Sequence, residues 1–283
     1  MQSLTTPARH RLQTSDPEQL AAIAKRMRRT AIQMITEAGS GHPGGSLSAA
    51  EIVVTLWYDV LRHDPEAPHT PGRDRFILSK GHCCPILYPV MADFGYCPED
   101  QLMTLRKLGS PYQGHPDVRF LPSLEASTGS LGQGLSLGIG MAMGTKMDGS
   151  ESRTYVVLGD GEVQEGQIWE AAMMAPFHKV DNLVAIVDYN KIQLDGFVKD
   201  ILDLEPHKAK WEAFGWHTLE IDGHSIPALQ KALAEAAATK RKPTCIIANT
   251  IKGKGVSFME NNPEFHGKAP TKEQCAAALA ELS

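Results

Sequence analysis

Apolar residues recur along this chain at two spacings, and the alternation between them sketches the architecture. In residues 18–38, "EQLAAIAKRMRRTAIQMITEA", they keep helical spacing; Asp16-Pro17 opens the segment and Gly39 stops it. The stretch "GSGHPGGS" that follows is too glycine-rich for regular structure and is expected to be a loop. Ser48-Ala-Ala-Glu51 has the form of a capping box and predicts a second helix running to about Leu61. "RFILS" reads as a short strand, and "KGHCCPILYPVMADFG" as the loop and helix after it. From Thr154 onward four short apolar runs, "TYVVL", "LVAIVD", "WHTLEI" and "TCIIANTI", read as strands. Three helical stretches separate them: "GQIWEAAMMAPFHK", "PHKAKWEAFG" and "PALQKALAEAAATK". Thr271 and Gln274 cap a last helix, "TKEQCAAALAEL". Strands alternating with helices predict an α/β fold, a parallel sheet with helices on both faces. With no linker and no composition shift, residues 1–283 are expected to form a single domain.

Two strands end in unusual chemistry. "VVLGDG" closes on Gly159-Asp160-Gly161, and "LVAIVDYN" closes on Asn190, one strand-helix-strand step later. Ligands of open parallel sheets bind beyond the C-terminal strand ends. If the two strands are neighbours, the Asp160 carboxylate and the Asn190 amide oxygen converge. Such hard oxygens suit Mg2+ or Ca2+, with water and a bound phosphate completing the coordination. Gly-Asp-Gly by itself also fits a plain strand-ending turn; the placed asparagine is what favours a metal. In "STGSLGQGLSLGIGMAMG" a G-x-G occurs, but no strand precedes it, so the dinucleotide fingerprint fails. Gly129 to Gly134 read as a helix start facing a cofactor. Gly138, Gly140 and Gly144 read as close helix packing, since each glycine costs a helix about 1 kcal/mol relative to alanine.

Four histidines stand in glycine or proline settings: His42 in "SGHPGGS", His82 in "SKGHCC", His115 in "QGHPD" and His266 in "PEFHGK". Imidazoles there can bind a diphosphate, donate to a sugar hydroxyl or shuttle protons. None has metal-ligand spacing. His10, His63, His69, His178 and His207 read as solvated or hydrogen-bonded bystanders.

Bulk composition narrows the function classes. A net charge of −5 and a pI near 6.1 give no sign of nucleic-acid binding or of a basic membrane face. The N-terminus has no apolar core and no stretch reaches membrane-spanning length, so neither a secretory signal nor a membrane span is expected. The five cysteines form no C-x-x-C pair and leave an odd one over, which suits a reduced, cytoplasmic protein without a zinc site.

Taken together, "SGHPGGSLSAAEI", "RDRFILSKGH", "TGSLGQGLS", "GDGEVQEGQIWEA", "DYNKIQLDG" and "KGKGVSFMENNPEFHGK" resemble, in order, the N-terminal half of the thiamine-diphosphate-dependent transketolases. The resemblance implies the thiamine-diphosphate-binding fold, with Asp160 and Asn190 binding the metal by side chain and Ile192 by its carbonyl. It places His82, Gly161 and His266 by the diphosphate, with Gly129 and Leu131 touching the cofactor through backbone. Gly159 and Glu162 complete that set. His42, His115 and His266 would face the reacting carbons and the sugar hydroxyls. The metal would bridge the protein to a diphosphate that few cationic side chains contact. One departure is "FLPSLEA", where Ser123 stands in place of an expected glycine and puts the local turn in question.

Family enzymes carry a second domain that binds the aminopyrimidine and supplies a glutamate. Nothing in this chain corresponds to it, and Glu162 and Glu165 adjoin the metal loop instead. The implied protein is therefore the N-terminal subunit of a split transketolase, active with a separate C-terminal subunit, two copies of each forming a heterotetramer. Its reaction would move a two-carbon ketol unit from a ketose, expected to be phosphorylated, to an aldose, with thiamine as the electron sink. The family's substrate-phosphate contacts lie mainly in the other half. Alternatives are an alpha-type chain of a 2-oxo acid dehydrogenase, a deoxyxylulose phosphate synthase fragment, and a non-catalytic cofactor-binding half. "SGHPGGS", "KGKGVSFMEN" and "DYNKIQLDG" fit transketolase better than the other enzymes, and no erosion of the metal and histidine sites favours the non-catalytic reading.

Overall fold

A computed structural model describes residues 12–194 and 196–283. Five strands, β1 (Arg75–Leu78), β2 (Thr154–Gly159), β3 (Leu183–Tyr189), β4 (His217–Asp222) and β5 (Thr244–Asn249), form one sheet in the order β1-β2-β3-β5-β4. Every pairing is parallel. The period-two geometry of a strand splits the apolar runs between two cores. Tyr155, Val157, Val184, Ile186, Ile246 and Ala248 face one way, against α1 (Pro17–Ala38), α3 (Ala50–Thr55), α4 (Cys84–Phe94) and α10 (Ile226–Ala238). Val156, Leu158, Ala185, Val187, Cys245 and Ile247 face the other way, against α5 (Gln133–Met147), α7 (Gly166–Phe177) and α9 (His207–Ala213). Each valine, leucine or isoleucine among them contributes roughly 1.5–3 kcal/mol of burial, so β2 and β3, buried at every position, form a stiff centre. A third cluster packs α11 (Lys272–Glu281) on Ile32 of α1 through Ala278 and Leu282, and includes Val256, Met259 and Phe265. It seats the segment between β5 and α11 against the body of the protein.

Several local expectations hold. Asp16 caps α1 by accepting from the Glu18 N–H at 2.9 Å, and Gly39 ends it in the left-handed region. Thr271 and Gln274 make the reciprocal cap of α11 at 3.2 and 3.0 Å. Ser123 closes its turn with an ordinary negative φ, the Leu124 N–H donating to the Leu121 carbonyl at 3.0 Å, so no glycine is needed.

Others are corrected. The segment expected as a glycine-rich loop contains α2 (Pro43–Ser48), with Pro43 in its first turn and every residue buried. Tertiary contact overrides propensity here: a Cβ on Gly45 would stand 2.6 Å from Cys83 Sγ, so only glycine lets the helix approach. Ser48 is consequently the end of α2, not a cap. Its hydroxyl donates to Asp188 at 2.6 Å, with the Gly45 carbonyl 3.1 Å away, while Glu51 turns to Arg28 and His224. α3 then runs through a π-helical turn, Leu56–Val60, close to the expected end. Of the three α5 glycines expected to pack closely, only Gly138 does so, its Cβ position lying inside the contact distance of Val156 Cγ2. Gly140 and Gly144 have nothing within 4 Å.

Candidate active site

β2 runs directly into the short helix α6 (Asp160–Val163), and β3 ends one residue before Asn190. The parallel register sets Gly159 opposite Asp188, so the two strand ends that carry Asp160 and Asn190 are neighbours. Asp160 accepts from its own helix start, the Gly161 N–H at 2.8 Å, and from the Lys191 N–H. To turn that amide back, Lys191 takes a left-handed backbone with φ of 70°, a conformation a non-glycine residue holds only where its surroundings impose it. The Asn190 amide nitrogen donates to Asp188 at 3.3 Å, which fixes the flip. Its oxygen accepts from the Ile192 N–H at 3.2 Å.

Beneath this pair lies a buried ion pair that sequence reasoning did not identify. Asp188 sits in the middle of an apolar strand with no exposed surface, and accepts from Ser48, Lys80 and Thr250. Burial works against both charges, but each outweighs it for the other: the Asp188 carboxyl is held below its usual range and the Lys80 ammonium above its own. The signal was available, because a carboxylate inside a run such as "LVAIVDY" demands a cation.

These groups line a cavity of about 440 Å³ at the C-terminal strand ends, and every site residue named from the sequence lines it. His42 lies 5.0 Å from His82, 6.4 Å from His115 and 5.4 Å from His266, centroid to centroid, and His82 stacks on His266 at 5.3 Å. Burial makes all four poor bases: His42 falls to about 4, His266 to about 3, His82 well below its ordinary value and His115 below it. Near neutral pH they are uncharged imidazoles, each able to donate at one nitrogen and accept at the other. His42 Nδ1 is buried without a partner, a polar atom suited to a ligand hydroxyl. Gly129, at φ 129°, brings backbone to the cavity wall where a Cβ would meet His115 Cγ at 2.8 Å.

A second cation enters from the segment after β5. Lys252 Nζ donates to the Ile192 carbonyl and to His266 Nδ1, both at 2.7 Å. That contact leaves the His266 proton on Nε2. Burial draws the lysine down to about 8, against the pull of Asp160. Two cations, Lys80 and Lys252, thus line the cavity, the first of them paired with Asp188. Glu162 lines the cavity as well. Both its oxygens are taken by protein donors, Ser79 and the Gly132 N–H on one and the Gly159 N–H on the other, the amides at 2.9 Å. It pins two cavity-lining loops together and has no oxygen turned solely to a ligand.

Asp160 is raised to about 6, chiefly by burial and then by the Asp188 charge, with Lys252 and Lys80 opposing. A carboxylate under that strain, an oriented amide oxygen and the Ile192 carbonyl form an all-oxygen set that fits a hard divalent cation. Among the described residues no group of three or more His, Cys, Asp or Glu side chains is arranged to hold a metal. A larger depression, about 630 Å³, opens at the N-terminal strand ends, but its Arg62–Asp74 and Lys146–Asp181 pairs satisfy one another.

The remaining histidines divide. His63 bonds Tyr96 and the Trp57 carbonyl, and His69 and His178 are exposed. His10 lies outside the described residues. His207 departs from expectation, being buried with neither ring nitrogen hydrogen-bonded, edge-on to Tyr189. Leu194 lines the cavity and is 65% exposed, and further along the chain Phe197, Ile201 and Leu202 are also exposed, the last two at the end of α8 (Val198–Ile201). Across α5 and α7, Leu137, Met147, Met173 and Phe177, the last 80% exposed, form a second apolar surface. Among the described residues no helix is long and apolar enough to cross a membrane.

Residues 19–282 match the family model described as "Transketolase, thiamine diphosphate binding domain". The chain belongs to the transketolase family. It is 44% identical over 256 residues to a 6-deoxy-6-sulfo-D-fructose transketolase subunit of Clostridium sp. (strain MSTE9), covering 90% of this chain and 93% of that one. It is 40% identical over 266 residues to an apulose-4-phosphate transketolase subunit of Phocaeicola vulgatus, covering 94% of each. The Leishmania mexicana transketolase structure superimposes with a TM-score of 0.86 at 32% identity, covering 93% of this chain and 41% of that one. The chain thus spans nearly all of the two subunit relatives and about two fifths of the longer transketolase. Within the transketolase fold, the convergence of Asp160 and Asn190 and the four-histidine cluster are what the sequence placed correctly; the Lys80–Asp188 pair, Lys252 and the Lys191 backbone are what it missed.

Proposed function

We propose that this chain is the N-terminal subunit of a two-subunit transketolase, which moves a two-carbon ketol unit from a phosphorylated ketose to an aldose. The observation that carries this reading is the joining of the Asp160–Asn190 oxygen pair and four neutral imidazoles in one cavity of a transketolase-family chain. The two relatives matched over nearly their whole length are both named as transketolase subunits acting on derivatised sugars.

In this reading Asp160 and Asn190 hold Mg2+, or Ca2+, by their side-chain oxygens and Ile192 by its carbonyl. Lys252 Nζ already donates to that carbonyl, whose second lone pair would remain for the cation. Thiamine diphosphate, when bound, supplies the nucleophilic carbon and the electron sink. His82, His266 and the backbone of Gly129, Leu131, Gly159 and Gly161 cradle it, and Glu162 sets the spacing of the two loops. His42, His115 and His266 grip the hydroxyls of the sugar. Being uncharged, they exchange a proton with a hydroxyl without first losing one to solvent, and His266 offers its Nε2 proton as donor. The exposed Leu194 at the cavity wall would help to exclude water once a partner covers it.

That partner is a separate chain carrying the pyrimidine-binding and C-terminal domains, two copies of each subunit forming a cytoplasmic heterotetramer. Affinity capture of the tagged chain from its native lysate, with thiamine diphosphate and magnesium present, is expected to bring down an equimolar transketolase C-terminal half. Recovery of the chain alone would overturn the two-subunit reading. With the pair in hand, Asp160→Ala is expected to abolish ketol transfer while leaving the circular dichroism spectrum unchanged; retained activity would remove Asp160 from the metal site.

A further inference from the structure

The segment after β5 carries two cavity residues, Lys252 and His266, yet it leaves the sheet at Asn249 and cannot use ladder hydrogen bonds to hold its shape. Its first residues are tied down one at a time. The Thr250 N–H donates to the Tyr189 carbonyl at 3.1 Å, and the Gly253 N–H to the Gly44 carbonyl at 2.9 Å. Between them the Ile251 N–H donates to a side chain, His224 Nε2, at 2.8 Å. His224 lies on the turn between β4 and α10, outside the cavity lining.

His224 is itself held from behind. Its Nδ1 lies 2.9 Å from Glu51 Oε2, and Glu51 is gripped by Arg28, whose Nε also donates to the Leu47 carbonyl at 3.0 Å. Side chains here are nearly closed to solvent: 7% exposure for Arg28, 10% for Glu51 and 14% for His224. The charges settle the tautomer. Glu51 is an acceptor, held charged by its Arg28 and His224 contacts against the effect of burial. The Ile251 amide is a donor. The ring must therefore carry its proton on Nδ1 and present a bare Nε2 to the backbone. The turn fixes the histidine's own backbone through the Asp222 carboxylate, which accepts from the His224 N–H at 2.9 Å.

We propose that His224 is a positioning residue of the active site: with Glu51 setting its tautomer, it fixes the Ile251 peptide and thereby the reach of Lys252 to the Ile192 carbonyl and His266. A line of contacts thus runs from α1 through Arg28, Glu51, His224 and Ile251 into the cavity. No functional group of His224 touches the cavity, so its effect is on how the neighbouring segment is presented. The inference rests on the reading above that Lys252 and His266 face the cofactor.

The test compares His224→Asn with His224→Gln in the full chain. Asparagine can replace Nδ1 toward Glu51 but not Nε2; the longer glutamine can place its carbonyl where Nε2 accepts. Amide hydrogen exchange at residues 250–253 and the affinity for thiamine diphosphate with Mg2+, by calorimetry, are read on both variants and on wild type. His224→Asn is expected to speed exchange of the Ile251 amide and to weaken cofactor binding, each by about tenfold, the factor for one neutral hydrogen bond. His224→Gln is expected to stay within about twofold of wild type, a change too small for one lost hydrogen bond. Asparagine and glutamine behaving alike, or His224→Asn keeping wild-type exchange, overturns the proposal. If wild type assembled with its captured partner binds no cofactor, the functional reading fails while the exchange result still judges the positioning role. Should His224→Asn not fold, the carbon-13 shifts of the wild-type ring decide: a proton on Nδ1 supports the proposal and one on Nε2 overturns it.

Discussion

Replacing Glu162 tests whether the two cofactor-side loops are pinned by one carboxylate. The Glu162→Ala change strips acceptors from the Gly132 and Gly159 N–H groups, both now at 2.9 Å, and from the Ser79 hydroxyl. A buried donor left without a partner costs about 1–3 kcal/mol, so the two amides set a range of about 2–6 kcal/mol; the hydroxyl can rotate to another acceptor and is left out. Against this, the carboxyl is raised above its ordinary value because burial outweighs its hydrogen bonds, and alanine removes that cost. The expected loss is therefore at the low end, about 2–3 kcal/mol, or about 4–12 °C in melting temperature for a chain of this size. Glu162→Gln keeps the shape but turns an NH2 toward one of the two amides, and is expected to fall between wild type and alanine. Melting is followed by circular dichroism, and cofactor affinity on the same samples by calorimetry. Gly132 adjoins Leu131 and Gly159 adjoins Asp160, so both changes should weaken thiamine diphosphate binding in the same order as they lower stability. An alanine variant that melts with or above wild type, or one that loses stability while binding cofactor normally, would refute the pin.

Three further outcomes are expected. Gly138→Ala drives a methyl into Val156 and should lower the melting temperature, since overpacking costs about 1–3 kcal/mol, whereas Gly140→Ala, with open space, should raise it through the roughly 1 kcal/mol gain in helix propensity; equal effects at the two sites would contradict the packing described. His42 takes a proton only near pH 4 when folded, against 6.5 in its ordinary state, so its contribution to stability is complete above pH 6.5 and is lost as pH falls from 6.5 through about 4. His42→Gln should accordingly flatten the fall of the urea midpoint across that window. Lys80→Met leaves Asp188 buried without its cation and should cost about 3–5 kcal/mol in urea unfolding, and adding Asp188→Asn should restore most of it; no recovery in the double variant would show that the lysine acts elsewhere.

The features legible in the sequence are those that local rules control. Asp16 and Thr271 announce their helices because a cap is made within three or four residues. Asp160 and Asn190 could be brought together because a strand-helix-strand step places neighbouring strand ends side by side. What escaped was set by distant contacts. α2 keeps a glycine at position 45 because Cys83 leaves no room there for a Cβ, a contact made far along the chain. Ser48 looked like a cap from its sequence spacing, but its hydroxyl is bound to Asp188. Gly140 and Gly144 looked like Gly138, and only the three-dimensional neighbours distinguish them. Lys252 was visible inside a motif, but its attachment to the Ile192 carbonyl depends on where the chain goes after β5.

The exposed apolar side chains have a consequence for the supply of this protein in the cell. Leu194, Phe197, Leu202, Met173 and Phe177 present sticky surface to water for as long as nothing covers them. Under the two-subunit reading proposed above, copies made in excess of the counterpart are then substrates for chaperones and proteases, and for one another. Under that reading, synthesis of the two chains would have to be matched in amount and in time, most simply by translation from one message. For the same reason a preparation of this chain by itself is expected to lose material steadily on concentration, and co-production with the partner to rescue it.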